Sequence, residues 1–220
     1  MNNTKYFPSL SRLSFADFEE QAKPALMSFL TDNKGKLEGG NVDENQALRD
    51  MYSLVQGEFP IEWKKTPPLP NLSLSACEEM IVTTSVDVLM CFLGLLGIPD
   101  SVAQATASDI IIGLSDGELT ALEKSIEAIS EADGITDQAK AIIKVMSQIY
   151  KVTGIRQILG ALEHNMSWYE WVIMGATITA QVAAWVATDF VAALAELVLE
   201  TAAIGQTVVD AIKTVSVCGI

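Results

Sequence analysis

Apolar and polar residues alternate along this chain with the three-to-four-residue period of helices, and short apolar runs such as Leu72–Leu74 and Ile110–Ile112 carry no strand pattern. One stretch departs from amphipathic order. Trp171 to Thr188 reads WVIMGATITAQVAAWVAT, eighteen residues without an Asp, Glu, Lys or Arg. Ser167 and Glu170 precede it as a capping box, in which each side chain satisfies a backbone N–H at the other's position. As a helix, the stretch puts Trp171, Met174, Ile178, Val182 and Trp185 on one stripe and Ala176, Ala180, Ala183, Ala184 and Ala187 on another. It has no solvent face, so other helices or a membrane must cover it.

The remaining helices follow from their start and stop residues. Ser14 and Asp17 cap a helix through Thr31, with Phe15, Phe18, Ala22, Leu26, Phe29 and Leu30 inward and Pro24 expected to kink or split it. The turn-rich Asp32–Asn41 follows, and Asp43 opens a helix ending at Gly57. Ser75 and Glu78 form a second capping box before an apolar helix that stops at Gly97 and Pro99. A short helix runs from Asp100 or Ser101 to Gly113, and a third capping box, Ser115 and Glu118, opens one that stops at Gly134. Thr136 caps the next, interrupted near Thr153–Gly154. After a break near Thr188–Asp189, one amphipathic surface helix is expected. Its face of Asp189, Ala193, Glu196, Glu200, Ala203, Thr207 and Asp210 should meet water, with Phe190, Leu194, Leu197, Val198, Val208, Ile212 and Val215 inward.

The pattern predicts an all-α, single-core bundle of about seven to nine helices. Two apolar helices, Glu78–Leu96 and Trp168–Ala187, lie inside it. The expected segments are an N-terminal helical arm lying outside the core (1–57), a Pro-rich linker (58–74) and the bundle core (75–220), cooperating as one domain. Within the linker, Lys64-x-x-Pro67-x-x-Pro70 has polyproline spacing and reads as a rigid spacer rather than an SH3-type ligand.

Charge narrows the partners. There are 14 basic against 28 acidic residues, a net of −14, which excludes the basic footprint that nucleic acid requires. An acidic surface is also repelled by anionic lipid at neutral pH, so membrane attraction would be apolar or acid-triggered. Cys77, Cys91 and Cys218 have neither metal nor redox spacing and read as buried thiols of a reducing compartment, with one bridge and a spare as the alternative. MNNTKYFPSLSRL lacks a signal-peptide apolar core, which points to cytoplasmic synthesis and release, if any, by a non-classical route.

Chemistry-bearing constellations are sparse. His164, the single histidine, falls at a helix-to-helix turn and reads as a surface residue. No GxxxxGK[ST] or GxGxxG loop is present, and no cofactor or metal site is expected. Asp87 is the isolated acid of its apolar helix. Burial would raise its pKa and make it a protonation switch, unless it simply bonds to Thr83, Thr84 or a facing helix. The expected function is therefore membrane activity rather than catalysis: a pore-forming or toxin-like bundle that inserts its sheltered helix conditionally. Trp168, Tyr169, Trp171 and Trp185 are the membrane or partner contacts. The alternatives are a homo-oligomer with apolar interfaces and an apolar-ligand or lipid carrier, its pocket lined by Met27, Met51, Met80, Met90, Met146, Met166 and Met174.

Overall fold

A computed structural model describes residues 7–36, 42–64 and 74–220. Of the described residues 76% are helical, and there is no strand among them. The helices are α1 (Phe15–Asp32), α2 (Glu44–Val55), α3 (Ala76–Leu95), α4 (Asp100–Ile112), α5 (Asp116–Ser130), α6 (Gly134–Glu163), α7 (Trp168–Ala187), α8 (Val191–Leu197) and α9 (Thr201–Cys218). The all-α bundle read from the periodicity is the fold.

Helix starts follow the sequence closely. In the box at Ser115, the backbone N–H donates to the Glu118 carboxylate at 2.7 Å. The boxes at Ser75 and Ser167 repeat this bond to Glu78 and Glu170, each at 2.9 Å. Asp43 accepts from the N–H groups of Asn45 and Gln46. Pro24 does not split α1. It sits on the exposed face, where the Glu20 carbonyl it leaves unbonded can turn to water. Phe15, expected inward, is exposed. The interruption at Gly154 is real: its φ of 67° and ψ of 168° belong to a region open essentially to glycine, so α6 kinks there.

The described helices group into two compact units. The first takes residues 1–64, 95–97 and 162–192, and so α1, α2 and α7. The second takes residues 65–94, 98–161 and 193–220, and so nearly all of α3, with α4, α5, most of α6, and α9. The expected segments 1–57, 58–74 and 75–220 do not coincide with these units, because α7 packs with α1 and α2. The N-terminal helices are thus not an arm lying outside; they cover α7. Burial of Phe18, Ala22, Leu26 and Phe29 on α1 and of Ala47, Leu48 and Met51 on α2 explains why.

The C-terminal segment differs from the single amphipathic helix expected. Asp189 and Phe190 take positive φ, 48° and 62°, and turn the chain after α7. A second break then separates α8 from α9 by a bend of 98°. Pro67 and Pro70 of the polyproline match, and residues 37–41 of the turn-rich stretch, lie outside the described residues.

Candidate functional site: an apolar helix and a polar seam

The first unit is built on α7. Twelve of its residues from Trp171 to Trp185 are buried, because α1 and α2 approach over small side chains. At Gly175 the approach is closest: a Cβ there would stand 2.4 Å from the Phe29 ring. Phe29 also meets Trp171 edge-on at 4.8 Å between ring centroids, and the Lys36 ammonium lies over the same indole at 5.4 Å from its centroid. Lys36 is ion-paired with Glu163.

The four aromatic candidates do not act as one group. Trp168 is half exposed and packs edge-on against Tyr169 at the start of α7. The Tyr169 hydroxyl donates to Asp50 at 2.6 Å, and burial together with that carboxylate drives its phenol well above the usual range. Trp171 and Trp185 are buried, so neither is a surface anchor in this state. Burial opposes ionisation of Glu170, yet the Glu62 N–H at 2.7 Å and the Ser167 donors hold it below the ordinary carboxylate range. Glu170 therefore both caps α7 and ties down the segment that follows α2, whose Lys64 N–H reaches Asn165 O at 2.8 Å.

Within α7, Gln181 is fully buried and neither of its amide atoms finds a partner. Such a group costs about 1–3 kcal/mol in a protein core. It is the one polar flaw in an otherwise satisfied helix, since Thr177 and Thr179 bond back to Ile173 O and Gly175 O.

In the second unit, α9 turns inward a different face from the one its pattern predicts. Thr207, Asp210 and Thr214 are buried, whereas Val209, Ile212 and Val217 are exposed. Ala193 and Glu196, also assigned to water, are buried as well. The reason is a polar surface on α3. The Thr84 and Thr214 hydroxyls share a bond of 2.8 Å, and the Cys91 Sγ and the Thr207 hydroxyl lie 3.4 Å apart. Between these rungs the register sets Asp87 opposite Asp210, and each carboxyl acts on the other. The rungs 84–214, 87–210 and 91–207 define an antiparallel register. A Cys77–Cys218 disulfide closes its end, with Cα atoms 4.9 Å apart. Two of the three expected thiols are thus a disulfide; only Cys91 is free, and burial pushes its thiol up to about 11. Held protonated, it is a poor nucleophile.

Asp87 is half-buried, and one of its carboxylate oxygens is shut off from water without a hydrogen-bond partner. Desolvation first, and then the neighbouring Asp210, raise its pKa to about 7. Burial acts the same way on Asp210, but donors from Lys213, Gln206 and Asp87 outweigh it and hold that carboxyl below its ordinary value. Asp210, Lys213 and the threonines were not anticipated as functional. A signal existed, in that Thr84, Asp87 and Cys91 span one heptad and so do Thr207, Asp210 and Thr214.

His164 is exposed at the turn between α6 and α7. The methionines proposed as a pocket lining are divided, with Met27, Met51, Met166 and Met174 in the first unit and Met80, Met90 and Met146 in the second. Among the described residues no cluster of three or more His, Cys, Asp or Glu side chains is placed to hold a metal ion.

No protein-family model, curated protein or solved structure matches the chain. Among the described residues α7 is the one single helix long and apolar enough to cross a bilayer; α8 and α9 pass the same test only together, across their bend. Core helices of soluble proteins share these properties, and most of α7 is buried.

Proposed function

We propose that this protein is a membrane-active helical bundle that shelters α7 and releases it into a lipid bilayer under the right conditions. The observation that carries this reading is α7 itself. It is 20 residues long, about 30 Å at 1.5 Å per residue, which equals the hydrocarbon thickness of a bilayer. From Trp171 to Thr188 it holds no charged residue, and half-exposed Trp168 beside Tyr169 supplies an interfacial end. The insertion energy summed over its side chains is close to zero, because threonines and Gln181 offset the aliphatic residues. Such a helix favours neither phase strongly, which suits conditional rather than permanent insertion.

Dye release from liposomes at neutral and acid pH tests this, with Ala183→Asp as the control. Ala183 is exposed in the folded chain, so the new carboxylate costs the bundle little, while within a spanning helix Asp costs up to about 3 kcal/mol at the centre and somewhat less at this position nearer the end of α7. Release by the wild type that drops at least tenfold in the variant supports the reading. No release at either pH, or equal release by both, rejects it.

A second reading rests on α9. Its outward Val209, Ile212 and Val217 join Leu199, which is 71% exposed, as apolar surface that a second copy could cover. Light scattering of the purified chain separates the two: a stable oligomer without dye release favours assembly.

A further inference from the structure

We propose that Asp87 and Asp210 form a proton-binding site that latches α9 to α3, held closed by one shared proton and weakened when that proton leaves. The inference is independent of membrane activity. It stands on the register of the seam, in which Thr84–Thr214 and Cys91–Thr207 bracket the two carboxyl groups.

The charge balance is local and closed. Asp210 and Lys213, both from α9, are the charged groups that act on Asp87. Lys213 Nζ donates to Asp210 at 2.7 Å. On α3 itself the next titratable neighbour, one turn on, is Cys91, which stays neutral. With a proton on Asp87, its O–H donates to the Asp210 carboxylate, the Lys213 ammonium balances that carboxylate, and the seam carries no net charge. Remove the proton and two carboxylates face each other across the helix pair, one with a buried oxygen that no donor reaches. Two neighbouring carboxyl groups that feel each other cannot both ionise freely.

The direction of the pH effect follows. Asp87 releases its proton at about 7 when folded, against an ordinary 3.8. The folded chain therefore holds the extra proton between those values. The stability this supplies is fully present below the lower value and is lost as pH rises through the upper one. Acid tightens the seam; mild alkali loosens it.

Cys91 is a built-in reporter, because its sulfur is buried in the same seam and the other two cysteines are bridged. The experiment labels Cys91 with a small maleimide in the full chain, disulfide intact, in wild type and Asp87→Asn, from about pH 5.5 to about pH 8.5. Asparagine offers Asp210 a permanent donor, mimicking the protonated acid. The Asp87 carboxylate also raises the thiol's own pKa, which slows wild-type labelling at the alkaline end, so a rise in the wild-type to variant rate ratio reports opening of the seam rather than titration of the thiol. That ratio should sit near one in acid and rise roughly tenfold at the alkaline end, one pKa unit's worth of coupling. A flat ratio overturns the proposal.

Should Asp87→Asn not fold, carbon NMR of the wild-type aspartate carboxyls decides instead. One aspartate titrating near 7 is expected, and Asp210→Asn should bring it down by at least about one unit. If every aspartate titrates in the ordinary acid range, or if Asp210→Asn leaves the high value where it was, there is no shared proton.

Discussion

Around α7, side chains meet through shape: the Phe29 ring occupies the space that a side chain at residue 175 would need, and Trp171 closes over its edge. Along α3 and α9, they meet through hydrogen-bonding groups, threonine to threonine, acid to acid, thiol to hydroxyl, with a covalent bridge at one end. The packed interior of α7 answers to volume and is blind to pH and redox conditions, although Glu170 at its start is not. The seam tolerates small changes of volume and answers to both. One chain thus carries two cores with different chemical sensitivities.

The largest test removes the bridge. Cys218→Ser frees a loop whose ends are 141 residues apart, worth about 5 kcal/mol of chain entropy. All four tryptophans, at 63, 168, 171 and 185, belong to the first unit, so fluorescence follows that unit while circular dichroism follows every helix. Urea unfolding of the variant should show the dichroism midpoint falling further than the fluorescence midpoint. Equal shifts would mean that the two units unfold as one, and the contrast would lose its energetic meaning.

Next in size is Gly175→Ala. The added carbon collides with a ring that is itself only 2% exposed, so overpacking should cost about 1–3 kcal/mol, seen first in fluorescence. Pairing it with Phe29→Leu should recover part of the loss, a coupling expected only of residues in contact. Smaller again is Thr84→Val, about 1 kcal/mol for a buried hydroxyl pair reduced to one member. Thr214 keeps its bond to Asp210 O, which limits the damage. Amide exchange in α9 should quicken in this variant while that in α7 stays put.

How much of this could be read in advance depends on the range over which each cause acts. Caps are local, and Ser75, Ser115 and Ser167 declared their helices within four residues. So did Gly154, whose backbone conformation marks an interruption where the pattern faltered. The chargeless stretch behind Ser167 was visible for the same reason. The orientation of α9 was not, because a rule that turns apolar residues inward assumes an apolar partner. Besides α5, α9 packs on α3, which presents Thr84, Asp87 and Cys91. Matching two polar heptads more than a hundred residues apart needs the register, and the register is fixed by packing. The same distance hid the pairing of Cys77 with Cys218. Asp87 stood out as an acid on an apolar helix; that its companion would be a second acid did not.

The turn after α7 places Asp189 and Phe190 in left-handed backbone conformation, where residues with a Cβ sit at a penalty of about 1–2 kcal/mol each. Glycine in place of Asp189, an exposed residue, should therefore make the protein slightly more stable. Glycine in place of Phe190 should not, because that ring is 7% exposed and its burial is worth more than the relief. The corner is a stopper held under tension: the phenyl group plugs the interior while the main chain behind it resists. Pull the plug, and nothing in the backbone argues against α7 running on past its present end.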